Sequence, residues 1–177
     1  DVLVFLPGAG EIARTEAALS QLAPGRGVPI LALHGQMQSA AQDAVLAPSA
    51  VGERKVVLAT NIAETSLTIP GVTAVVDSGL ARRSIFDPAT GMSRLELGRI
   101  SRAASEQRRG RAGRVAAGVC YRLWTAPEDL GLAAFDEPEI AIADLAPLAL
   151  DLAAWGVNDP LALSWMTPPP AAAYAQG

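Results

Sequence analysis

The segment Ser105 to Arg114, SEQRRGRAGR, repeats arginine every three residues at 108, 111 and 114, around Gly110 and Gly113. Residues three apart on a helix are surface neighbours, so the spacing predicts a row of rigid, permanently charged guanidiniums along one face. Glycines between them let a phosphate-bearing partner approach the backbone closely. Bidentate arginine contacts suit a polyphosphate and neutralise charge that develops during phosphoryl transfer. The same spacing also describes a solvated basic helix or a nonspecific RNA patch, and spacing alone leaves these readings open. A second segment, ATNIAETSLTIPG (59–71), directly follows an apolar run. Thr60, Asn61, Thr65, Ser66 and Thr68 offer hydroxyl and amide groups at the C-terminal end of a strand, where open α/β sheets bind ligands. Taken alone, it reads equally as a loop whose Ser and Thr cap a helix. A third, LPGAGEI (6–12), is a glycine turn whose N–H groups can hold one phosphate, although a lone glycine loop is weakly specific.

Alternating strand and helix signals must position these segments. VLVFL (2–6), VPILAL (28–33), KVVLAT (55–60), VTAVVD (72–77) and GVCYRLW (118–124) read as strands. Ile12, Ala13, Glu16, Ala17, Leu19 and Leu22 predict a helix that closes before Pro24-Gly25, and residues 39–46 a second helix. This order implies right-handed βαβ units and a parallel sheet, an α/β fold. SIFD and SRLEL flank the turn cluster DPATG (87–91) and predict a β-hairpin leaving the sheet. Residues 101–113 read as an arginine-rich helix. A later helix is expected from Asp144, as N-cap, to Trp155, with Gly156 as its stop, and Pro168–Pro170 should end the ordered structure. A boundary belongs near 126–135.

A chain of 177 residues, half of them hydrophobic, supports a sizeable core and argues against wholesale disorder. No apolar run approaches the roughly 20 residues that cross a bilayer. VLVFL lacks a basic flank and is too short for a signal sequence, and it reads as a strand of a longer polypeptide. A single cysteine excludes an internal disulfide and fits a reducing, cytoplasmic setting. Taken alone, the formal net charge of −4 argues against a nucleic-acid binder, but its distribution reverses that. Residues 82–122 carry ten arginines against three acids, +7, between flanks of −3 and −8. His34, after a strand, and Cys120, within one, read as structural residues, as do Trp124, Trp155 and Trp165. The acidic residues 128–151 have no metal-ligand spacing.

Taken together, LVFLPGAGEI (3–12), ATNIAETSLTIPGVTAVVDSG (59–79) and QRRGRAGR (107–114) resemble motifs IV, V–Va and VI of the DEAH-box helicases of superfamily 2, in order and spacing. The bacterial HrpB type is the nearest flavour. The hairpin-like 79–101 fits between motifs V and VI, and 137–170 looks like the start of the winged helix that follows in this family. The resemblance implies a RecA-like three-layer parallel sheet with a protruding β-hairpin at 1–126. A partial all-α winged-helix segment would follow at 127–177.

The resemblance also implies roles. Gln107 would sit near the γ-phosphate and attacking water, Arg111 and Arg114 would be arginine fingers, and Ser66 would sense the nucleotide state. Gly8, Thr60, Asn61, Arg82, Arg83 and Arg108 would belong to the nucleic-acid grip, with Arg108 ordering the motif or touching phosphate. ATP with Mg²⁺ would be held mainly by a first RecA-like domain, since GxxxxGK[ST] and DEAH are absent here. On this reading the chain is part of a 3′-to-5′ RNA helicase, a monomer inactive as an ATPase by itself. The competing reading is a stand-alone nucleic-acid-binding or regulatory module. Two departures stand out: Arg109 replaces a residue that is small in many relatives, and Pro70 replaces an acidic one in some.

Overall fold

A computed structural model describes residues 1–22, 27–65, 67–114 and 116–176. Five short strands, β1 (Val2–Phe5), β2 (Ile30–Leu33), β3 (Val56–Ala59), β4 (Ala74–Asp77) and β7 (Val119–Arg122), form one parallel sheet in the order β2-β3-β1-β4-β7. Between β4 and β7 in sequence, β5 (Leu80–Asp87) and β6 (Met92–Arg99) pair as a separate antiparallel hairpin. This is the expected RecA-like α/β architecture. The three central strands are apolar on both faces, as parallel strands covered by helices must be. Leu3, Phe5, Val57, Ala59 and Val75 are fully buried in them, as is Leu33 at the end of the edge strand β2.

Each strand is shorter than its apolar run: the paired register covers only Val2↔Val56 to Phe5↔Ala59 and Ile30↔Val56 to Leu33↔Ala59. Pro29, just outside β2, has no N–H to donate and only accepts from Val56. Lys55, just outside β3, is buried, and its Nζ donates to the Val45 and Ala47 carbonyls at the end of α2 (Ser39–Leu46). Helix α1 (Ala9–Leu22) starts three residues before the expected Ile12 and buries only that residue fully. The Pro24-Gly25 stop lies outside the described residues.

The chain divides into two compact units, one of residues 1–82 and 97–136, the other of 83–96 and 137–177. The first unit runs to residue 136. Its last segment is tied down: Thr125 and Glu128 form a capping box on α4 (Ala126–Leu130), and Arg99 pairs with Glu128. The Ala133 and Ala134 carbonyls accept the first N–H groups of α3 (Arg102–Arg109). Gly79 takes a positive φ of 71°, and a Cβ there would lie 2.7 Å from the Trp124 ring, so only glycine fits this turn. Trp124 packs with Ala81, Ile100 and Ala104, as a structural tryptophan should.

In the second unit, 137–177 contains only helices among its described elements: α5 (Glu139–Ile142), α6 (Ala146–Ala154), a 3-10 turn (Pro160–Ala162) and α7 (Ala171–Tyr174). Asp144 accepts from Ala146 N–H and Gly156 takes a positive φ of 81°, close to the expected cap and stop. Two expectations fail here. Pro168–Pro170 does not end the order, because proline is well suited to precede a helix and α7 follows at once. Trp155 is 77% exposed rather than packed, since it follows the last residue of α6. At the hairpin turn, Asp87 accepts from the Ala89, Thr90 and Gly91 amides.

Candidate functional site

The site forms where β1, β3 and β4 end and α3 crosses them. Ser101 N-caps α3 through the Ala104 N–H, and the helix stops at Arg109 with Gly110 as C-cap. The 110–113 stretch is therefore a turn, and the three arginines do not form one helical row as expected. They instead track the motif V segment: Arg108 meets Glu64, Arg111 meets Glu64 and Leu67, and Arg114 meets Thr68.

Arg108 is 1% exposed. Its Nε donates to Glu64 Oε2 at 2.8 Å, and its Nη1 donates to Asp77 Oδ1 at 2.9 Å and to the Leu80 carbonyl at 3.3 Å. Its guanidinium lies 4.8 Å from the Phe5 ring centroid, a cation–π contact. One side chain thus fastens the ends of β1 and β4, motif V and the hairpin root. In this placement all the Arg108 contacts are internal, and its guanidinium is buried. Glu64 and Asp77 were not singled out from sequence. Asp77 closes an otherwise apolar strand, and a carboxylate in that position signals a buried cationic partner.

Arg111 is also buried, at 6% exposure. Its Nε and Nη2 donate to the Glu64 carbonyl and its Nη1 to the Leu67 carbonyl at 2.6 Å. Burial, then the neighbouring Arg114 charge, pull its guanidinium below the usual arginine value, with Glu64 opposing. Arg114 is exposed, its Nη1 3.2 Å from Thr68 Oγ1, and Gln107 is exposed on α3. Of the expected nucleotide-facing groups, Gln107 and Arg114 face outward and Arg111 faces inward. Ser66 lies outside the described residues. Arg109 bonds Glu106 at 2.7 Å, and Glu106 also pairs with Arg122.

On the other side, Thr60 stands at the N-cap of the 3-10 turn Asn61–Ala63, yet its side chain makes no capping bond. The capping alternative for Thr60 therefore fails, and Asn61 beside it is exposed. Arg82 forms a bidentate pair with Glu11 of α1, over Gly8. Arg82 and Arg83 are consecutive in β5 and lie on opposite faces of the strand. His34 is half-buried with an unpartnered Nδ1, and no group able to hold a metal occurs among the described residues.

Residues 1–116 match the family described as Helicase conserved C-terminal domain. The chain belongs to that family. It is 44% identical over 169 residues to the ATP-dependent RNA helicase HrpB of Escherichia coli K12, covering 96% of this chain and 21% of that protein. The human probable ATP-dependent RNA helicase DHX34 is 41% identical over 173 residues, 97% of this chain and 15% of its own length. A crystal structure of the Escherichia coli DEAH/RHA helicase HrpB superposes with a TM-score of 0.91 at 43% identity, over 99% of this chain and 22% of that one. A second, described as an E. coli DExH-box NTPase HrpB, gives 0.88. The chain is thus a helicase C-terminal domain of the DEAH/RHA type, and it spans about a fifth of the HrpB chains it matches. No helix among the described residues is long and apolar enough to cross a membrane.

Proposed function

We propose that this helicase C-terminal domain is the second RecA-like domain of an ATP-dependent 3′-to-5′ RNA helicase, acting across a cleft on ATP held by a first RecA-like domain. The observation that carries the reading is the pairing of motif VI with motif V. Arg108 and Arg111 fasten the two motifs when no nucleotide is bound, while Gln107 and Arg114 are exposed beside them. Two outward donors on a rigid support fit a terminal phosphate. Mg²⁺ would accompany the ATP on the first RecA-like domain.

When bound, ATP supplies the phosphoryl group whose transfer to water drives the cycle. Gln107 orients that water, and Arg114 neutralises the charge that builds on the phosphoryl oxygens. Arg111 is the second finger and reaches the phosphate by trading a motif V carbonyl. Because it gives up the Glu64 or the Leu67 carbonyl when it does so, nucleotide occupancy is felt directly in motif V, with Ser66 as the sensor. Thr60, Asn61, the Gly8 amides, Arg82 and Arg83 hold the RNA backbone. Alternating closure and release of the two domains moves that grip along the strand, and 137–170 begins a winged helix.

The test is hydrolysis by the full-length protein. Arg114→Ala should reduce RNA-stimulated ATPase by about 10³-fold or more, the scale of an arginine finger. Near-normal hydrolysis in both Arg114→Ala and Arg111→Ala would refute the assignment.

A further inference from the structure

Glu11 and Arg82 stand 71 positions apart in sequence. Arg82 Nη1 donates to Glu11 Oε2 at 2.8 Å and Nη2 to Oε1 at 3.2 Å, the two-pronged geometry arginine also uses on phosphate. Arg14, one turn along α1, reaches the same Oε1 at 2.9 Å. The guanidinium lies directly over Gly8, where a Cβ would meet Nη1 at 2.1 Å and Glu11 Oε2 at 3.0 Å. A side chain at position 8 would have to push the Arg82 fork aside, so glycine leaves this ion pair its place. The hydrogen bond from Arg82 holds the Glu11 carboxyl below the usual carboxylate range, so it is charged at neutral pH. Yet the pair is not sealed: the Arg82 and Glu11 side chains keep 35% and 23% of their exposure.

We propose that Glu11 is an internal substitute for an RNA backbone phosphate on Arg82, displaced when the strand binds. The inference rests on the assignment of Gly8 and Arg82 to the RNA grip. A carboxylate presents two anionic oxygens to the guanidinium fork, as the non-bridging oxygens of a phosphodiester do. In the absence of RNA, Glu11 keeps the fork extended over Gly8 instead of leaving it to stray anions. With RNA bound, it competes for Arg82 at every phosphate. A translocating enzyme must release each phosphate to take the next, and a built-in competitor shortens each contact. Glu11 is therefore a positioning and release residue for the grip.

The experiment measures the affinity of the full-length protein for a short single-stranded RNA by fluorescence anisotropy across a salt series. Glu11→Gln should tighten binding by about two- to five-fold, the scale of a partly exposed ion pair. Glu16→Gln, which removes an equal charge from the same helix, should change it less. Arg82→Gln should weaken binding, and Glu11→Gln should bring no gain in its presence. Unchanged or weaker binding by Glu11→Gln, with Arg82→Gln still impaired, would overturn the substitute role and leave Arg82 as a contact. No effect of Arg82→Gln would overturn the grip assignment along with it. A gain that persists without Arg82, or that Glu16→Gln matches, would reduce Glu11 to a generic repulsive charge and overturn the proposal.

Discussion

Replacing Arg108 with methionine tests whether motif VI is fastened from inside. The substitution roughly preserves the buried stem and removes the guanidinium from Glu64, Asp77, the Leu80 carbonyl and the Phe5 ring. Asp77 is the decisive partner, because it is 0% exposed and its Oδ2 already lacks a hydrogen bond. Without Arg108 its charge is left with the Gly79 N–H alone among the described contacts to Oδ1. Removing one member of a buried pair costs about 3–5 kcal/mol. That is a large share of the roughly 5–15 kcal/mol that stabilises a domain. For a chain of this size it corresponds to a fall in Tm of about 6–20 °C. Urea unfolding of the chain followed by circular dichroism should show an earlier midpoint at unchanged slope. Adding Asp77→Asn keeps an acceptor for Gly79 and removes the stranded charge. The double variant should then be more stable than the two single losses predict, by about 1–3 kcal/mol. A single variant within about 1 kcal/mol of the parent, or strict additivity in the double, would refute the argument that this charge is held by Arg108.

Thr60→Ala in the full-length protein should lower strand unwinding more than ATP hydrolysis, because the Thr60 hydroxyl spends nothing on capping; equal losses in paired assays would contradict a backbone contact. The Glu106 carboxyl is held below its usual range first by Arg109 and then by Arg122. Its stabilisation is therefore present above the ordinary carboxylate range and lost as pH falls through the lowered value. Glu106→Gln should lower the Tm slightly at pH 7, by the equivalent of at most about 1 kcal/mol for so exposed a pair. In a pH series the difference should shrink as pH falls below the ordinary glutamate range and vanish only below the lowered value. Burial, followed by the Asp77 charge, pushes the Cys120 thiol up. Alkylation of the folded chain near neutral pH should be much slower than in urea, and equal rates would contradict that placement.

How far the sequence reached depends on the range of the interaction. The strands themselves were legible because buried parallel strands need continuous apolar runs, and VLVF, ILAL, VVLA and AVVD supply them. The motif segments were legible because their residue types are distinctive. The destination of each arginine was not. Regular spacing implied a shared helical face, but α3 ends before Arg111, and each guanidinium finds its partner 44–47 positions away. Nothing local distinguishes an arginine that will be buried on a carboxylate from one that will face solvent.

The charge block shows the same limit. Its excess of +7 is real in sequence, but Arg82, Arg94, Arg99, Arg108, Arg109 and Arg122 are each ion-paired with a carboxylate. Glu11, Glu64, Asp77, Glu128 and Asp129, from the acidic flanks, supply many of those partners. The block is thus partly neutralised within the fold, and under the proposed function a phosphate would meet it by displacement more than by simple attraction. Displacement favours ligands that offer two anionic oxygens in a fixed geometry over those that merely carry charge. A domain that alternately holds and releases phosphates needs that property, and a uniformly unpaired basic surface would bind every polyanion and release none quickly.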